Sequence, residues 1–175
     1  MTAVPIRLIG DPVLRRPADE VVDFDAELRR LVDDLRTTLA ESGGAGLAAP
    51  QIGVSLRVFA IAPQLSDGKL DHFVNPVLAF PDEEEQSGPE GCLSIPGIYL
   101  DTKRRKNVAA KGFTVDGDPV QIVGEGLLAR CLQHETDHLD GVLFIDRLDA
   151  TRQDLLRTVL AEADWPEVTV KVDPH

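Results

Sequence analysis

The chain has 175 residues and a formal net charge of −12, long enough for one domain and too acidic for non-specific attachment to DNA. No stretch approaches the length of an apolar membrane span, and the N-terminal MTAVPIRLIGDPVLRR carries Pro5, Asp11 and Pro12 where a secretory leader needs an unbroken apolar run. Two cysteines argue against a disulfide scaffold and for a reducing compartment, so a cytoplasmic location is expected. In chain order, Leu28, Leu31, Val32, Leu35 and Leu39 recur at helical spacing and predict an amphipathic helix over 25–41, stopped by Gly43-Gly44. Arg57–Ala62 and Phe73–Phe80 read as strands, and the acidic run Asp82-Glu83-Glu84-Glu85 as a solvated hairpin tip. Tyr99–Thr102, Asn107–Val115 and Pro119–Val123 read as further strands, the last two joined as a hairpin by Asp116-Gly117-Asp118. A helix carrying Leu127, Leu128, Cys131, Leu132 and Leu139 follows and stops at Gly141. A final helix is expected over 151–163, with Leu155, Leu156, Val159 and Leu160 on one face. The organisation expected is one domain over 1–165 and a tail over 166–175.

The stretch richest in chemistry is QHETDHLDG, where His134, Glu135 and His138 form the pattern H-E-x-x-H. On a helix, residues four apart stand one turn above each other, so both imidazoles point to one side. Two neutral imidazoles so placed grip a divalent metal, and Glu135 is close enough to handle the protons of a water activated there. The bland reading is a pair of solvated or core histidines. Apolar neighbours count against it, because two buried imidazoles without a shared ligand are costly.

A hydrolytic site with this motif needs a third protein ligand and an open position. The position where metzincin proteases carry a third histidine is Phe144. Glu162, where a thermolysin-like protease would supply a glutamate, sits in the solvated-looking LAEAD. His72 and His175 are isolated. The remaining candidate is Cys92, in a Gly-flanked segment distant enough in sequence to approach across a cleft, although a lone buried thiol is the commoner case. Cys131, three residues before His134, would crowd the same helical turn and reads as a small core residue. A third segment, GAGLAAPQIG over 44–53, offers a backbone that another group can approach closely. It has neither the lysine of a P-loop nor G-x-G-x-x-G, so a phosphate site is not expected.

Together GAGLAAPQIG, EGCLSIP and QHETDHLDG, 26 residues in all, resemble the three motifs of bacterial peptide deformylases in order and separation. The resemblance implies an α+β fold with antiparallel strands around the central H-E-x-x-H helix, flanked by an N-terminal and a C-terminal helix. It implies removal of the formyl group from the N-terminal formyl-methionine of nascent polypeptides. Cys92, His134 and His138 would hold the metal, usually Fe²⁺, with Zn²⁺, Ni²⁺ or Co²⁺ as substitutes. Glu135 would act as general acid and base, while Gln51 and the backbone N–H of Leu93 would stabilise the developing oxyanion. Gly46 and Glu90-Gly91 would border the substrate and hydrogen-bond its backbone. The competing reading is a zinc metallopeptidase of the H-E-x-x-H type, which lacks its third ligand here.

An unbranched methionine side chain calls for an apolar pocket, and Leu127 and Cys131 lie on the ligand side of the helix to wall it. Arg130 is expected at its mouth, stem along the wall and charge in water. The family also implies transient ribosome contact. From Asp149 onward, however, Arg152, Arg157 and Lys171 face six carboxylates, so the last helix reads as a cap on the core and not as an RNA-docking element.

Overall fold

The computed structural model describes residues 2–162. The order of elements is α1 (Ala26–Ser42), β1 (Gly46–Ala48), β2 (Val58–Ile61), β3 (His72–Ala79), β4 (Glu85–Cys92), β5 (Ile95–Arg105), β6 (Asn107–Phe113), β7 (Pro119–Glu125), α2 (Gly126–Leu139) and α3 (Ala150–Glu162), with short 3-10 turns between. The architecture is α+β. Five strands pair antiparallel in the order β1-β2-β3-β6-β7, and β4 and β5 form a separate two-stranded hairpin.

α1 begins where Asp25 accepts from the N–H groups of Glu27 and Leu28, both at 3.0 Å, and ends at Gly43, whose φ of 71° lets its N–H reach Leu39. Its leucine stripe packs on Leu47, Val58, Ala60 and Val74. On the opposite side of the molecule's middle, α2 lays Ala129, Leu132 and Leu139 against Phe59, Ile61, Phe73, Val108 and Ala110 of the larger sheet. Each fully buried leucine there stabilises the docking by roughly 1.5–3 kcal/mol. α2 is also stitched to β5: the Gln133 side chain accepts from Arg105 N–H at 3.0 Å and donates to Arg105 C=O at 2.9 Å. The central helix therefore touches both sheets. It stops before Gly141, where φ is 72° and a Cβ would lie 2.8 Å from the Arg15 backbone.

Three expectations are corrected. The acidic turn is not a hairpin tip, because β3 pairs with β6; residues 80–84 carry the chain from one sheet to the other. β4 extends strand structure through EQSGPEGC, which has no apolar residue before Cys92; it is held by eight paired positions with β5, and Pro89 is tolerated because the other edge is open. In α3, Leu156, Val159 and Leu160 share a face toward the N-terminal segment, but Leu155 is 51% exposed. A 100° step separates it from Leu156 and carries it out of the packed arc. The expected tail, 166–175, lies outside the described residues. No helix of the described residues is long and apolar enough to cross a membrane.

Candidate metal centre

Two elements supply the cluster. α2 presents His134 and His138 one turn apart, and β4 delivers Cys92 as its last residue, just before the Leu93-Ser94 turn. The register slips there: Gly91 faces Tyr99 but Cys92 faces Ile95, so residues 96–98 bulge out of β5. All three candidate ligands are buried, and their donor atoms lie within 4.8 Å of one another. His138 Nε2 is 3.2 Å from His134 Nε2 and 3.3 Å from Cys92 Sγ.

These separations suit a shared cation. In a tetrahedral site with metal–nitrogen bonds of about 2.0–2.1 Å and a metal–sulfur bond of about 2.3 Å, the edges come to roughly 3.3–3.6 Å. His134 Nδ1 lies 2.7 Å from Glu90 Oε1, so this nitrogen carries the proton and Nε2 offers its lone pair inward. The charges agree. Burial opposes a positive charge on His134, yet Cys92, Glu90 and Glu135 around it drive its pKa well up. Burial, with His134 beside it, holds His138 well below the ordinary value. Cys131 is different: it is absent from this cluster, its Sγ rests 3.5 Å from Ala45 C=O, and burial pushes its thiol pKa well up.

Glu135 faces the cavity beside the ligands. Burial pushes its carboxyl up to about 7, with His134 pulling the other way. Its Oε2 is buried and has no hydrogen-bond partner among the described residues. β1 runs against it so closely that a Cβ on Gly46 would sit 2.5 Å from Oε1. Gln51 is buried in the short turn after β1. Its Oε1 accepts from Ala48 N–H at 2.9 Å, which turns Nε2 toward Ser94 Oγ at 3.1 Å and Cys92 Sγ at 3.6 Å. The amide orientation follows from the Ala48 N–H, which can only donate.

A cavity of about 370 Å³ opens onto the cluster. Every residue named from the sequence lines it except His138, which lies deeper: Gly46, Gln51, Glu90, Gly91, Cys92, Leu93, Leu127, Arg130, Cys131, His134 and Glu135. Two of these point elsewhere than expected. The Arg130 guanidinium is not in water; it donates to Glu90 at 2.7 Å and to Thr102 C=O at 2.9 Å. The reason is Glu90, whose carboxylate turns inward to His134 and is bidentate with Arg104, at 2.6 and 3.1 Å. Burial would raise the Glu90 pKa, but the hydrogen bonds from His134 and Arg104 win and hold it well below the carboxylate range.

Sequence reasoning missed Arg104 and Asp137. Arg104 hides in the cationic run Lys103-Arg104-Arg105-Lys106, and only strand alternation marks it as the inward residue. Asp137 lies inside the metal motif itself, three residues after His134. The thermolysin-like alternative gains nothing: Glu162 is exposed at the end of α3, and His72 is engaged with Asp71 at 2.7 Å. Among the described residues the cluster of Cys92, His134 and His138 is the candidate metal site.

Residues 3–154 match the polypeptide deformylase family. The chain is 56% identical over 177 residues to a peptide deformylase of Acidothermus cellulolyticus, covering 100% of this chain and 96% of that one. It is 53% identical over 178 residues to a peptide deformylase of Parafrankia sp., again with 100% and 96% covered. Among solved structures, the peptide deformylase of Thermus thermophilus superposes with a TM-score of 0.84 at 41% identity, covering 91% of this chain and 95% of that chain. A peptide deformylase of Synechococcus elongatus in complex with actinonin gives 0.83 at 38% identity, covering 91% and 85%.

Proposed function

Because the chain belongs to the polypeptide deformylase family and is a metal-dependent peptide deformylase, we propose that Cys92, His134 and His138 hold its metal and that Glu135 moves the protons of the reaction. The substrate in this reading is the N-terminal formyl-methionine of nascent polypeptides, met in the cytoplasm. One observation carries it: three donors buried within 4.8 Å of one another, beside a buried carboxylate oxygen with no partner among the described residues. A thiolate with two imidazoles suits Fe²⁺ or Zn²⁺ better than Mg²⁺ or Ca²⁺, and the family resemblance favours iron. When bound, such an ion lowers the pKa of a water to about 7 and polarises a carbonyl.

The chain's own groups do the rest. Glu135 accepts a proton from the attacking water and returns one to the departing amine. A carboxyl poised near 7 suits both transfers, and a divalent cation alongside favours its ionised, accepting form. Gln51 Nε2, fixed from behind by Ala48, and the backbone N–H of Leu93 donate to the oxygen as negative charge develops. One such donor is worth roughly 3 kcal/mol. Leu127 and Cys131 supply apolar wall for the methionine side chain. Gly46 and Gly91 bring two strand backbones to the rim, where a peptide main chain finds hydrogen-bond partners. Transient contact with the ribosome fits this role, but α3 presents no surplus cation: Arg152 pairs with Asp149 and Asp101, and Arg157 with Asp154.

The direct test incubates metal-loaded protein with a formyl-Met-Ala peptide and its unformylated twin. Formate release from the first, with the second left intact, is expected. Cleavage of an internal peptide bond in either would point to the metallopeptidase reading instead.

A further inference from the structure

Behind the ligands, four side chains close a ring that leaves α2 and returns to it. His134 Nδ1 donates to Glu90 on β4 at 2.7 Å, and Arg104 on β5 grips Glu90 with two nitrogens. The third nitrogen of Arg104, Nη1, donates to Asp137 Oδ2 on α2 at 2.6 Å. Asp137 follows His134 by three residues, so one helical turn holds both ends. Outside the ring, Arg147 covers Asp137 with contacts of 2.9 and 3.2 Å, at the wall of a second cavity of about 340 Å³. Neither Arg104 nor Asp137 lines the cavity that holds the ligands.

The ring does two things for a cation site. Geometrically, Glu90 lies two residues before Cys92 on the same strand. Fastening Glu90 to α2 therefore sets the distance between the thiolate strand and the histidine helix. Electrostatically, Asp137 offsets the charge of Arg104 at one end, so that Glu90, which also accepts from Arg130, keeps more of its negative charge for His134 at the other. We propose that Asp137 is a positioning residue for the metal cluster, acting through Arg104 and Glu90 on His134. This rests on the assignment of Cys92, His134 and His138 as ligands.

Replacing Asp137 by asparagine keeps its shape but removes one negative charge, leaving buried Arg104 with Glu90 as its remaining anion. Glu90 is then drawn toward Arg104 and away from His134, while the surroundings become more positive. Both effects disfavour a divalent cation. The test is competition for Co²⁺ and Zn²⁺ against a chromogenic chelator, with the visible spectrum of the Co²⁺-loaded protein and steady-state kinetics. Asp137→Asn is expected to weaken metal binding about 10–100-fold, the scale of such supporting partners. It should also shift the Co²⁺ bands and lower kcat while KM stays within about twofold, because Asp137 does not reach the substrate cavity. Arg104→Lys keeps the charge but cannot span both carboxylates, and it should move the same readouts in the same direction; it decides the matter if Asp137→Asn fails to fold. A variant that melts earlier, yet binds metal as tightly as the parent with an unchanged Co²⁺ spectrum, would overturn the positioning role. A parent protein that binds no metal would instead overturn the ligand assignment.

Discussion

Gly46→Ala tests how closely the sheet holds Glu135, the carboxylate proposed to move the protons. The added Cβ would lie 2.5 Å from Glu135 Oε1, 2.7 Å from its Cγ and 2.8 Å from its Cδ. Ordinary heavy-atom contacts begin near 3.5 Å, so the carboxylate or β1 must shift by roughly 0.7–1 Å. A displacement of about 1 Å at a reacting group costs on the order of 10²-fold in rate. Stability suffers less. Overpacking costs about 1–3 kcal/mol, and the gain from restricting an unfolded glycine, about 0.4–1 kcal/mol, offsets part of it because this backbone is not left-handed. The expected outcome is a protein that melts a few degrees lower, binds its full complement of metal and shows kcat for formate release reduced about 100-fold. The assay is steady-state deformylation of a formyl-Met-Ala peptide at measured metal occupancy. Wild-type kcat in this variant would show that Glu135 is not held against β1, and a rise in KM alone would place the methyl group in the peptide's path.

The two thiols should separate cleanly. Cys92→Ser is expected to lose metal and activity together, because a hydroxyl is a far poorer ligand than a thiolate, while Cys131→Ala retains metal and loses packing; metal analysis of both variants checks this. Formyl-Met peptides should exceed formyl-Asp or formyl-Gly peptides in kcat/KM, by up to about 10–200-fold per missing methylene-sized contact. Equal efficiency with formyl-Asp would remove the apolar wall of Leu127 and Cys131 from the account. Asp25→Ala deletes the acceptor for two N–H groups at the start of α1 and should cost about 1 kcal/mol. Thermal denaturation should show this as a fall of about 2–4 °C, with turnover unchanged.

What could be read without coordinates follows from how local each signal is. α1 was legible end to end, since its leucine stripe, Asp25 and Gly43 all lie within one run of sequence. α2 was legible from H-E-x-x-H and the apolar spacing around it. β4 was not, because EQSGPEGC carries no alternating apolar pattern and exists as a strand only through its partner β5. The same distinction divides the site. His134, Glu135 and His138 stand out by residue type and spacing and Cys92 joins them only through the family resemblance, whereas the direction of Arg130 and the inward turn of Glu90 depend on charges that meet only in three dimensions. Arg130 was expected in water on the general habit of arginine; a buried carboxylate one strand away outweighs that habit.

In the proposed reaction the chain's metal, held by Cys92, His134 and His138, works with Glu135 as the proton carrier. Glu135→Gln tests this most directly, because the amide keeps the size of the carboxylate but cannot take the proton. Parent and variant are prepared anaerobically with Fe²⁺, analysed for metal, and assayed for formate release from formyl-Met-Ala, before and after chelation. Equal metal is expected in both proteins, with turnover in the parent that chelation removes and added metal restores, and a loss of about 10²–10⁴-fold in the variant. Near-parental turnover in the metal-replete variant, or turnover in the parent that survives removal of its metal, would contradict the proposed reaction.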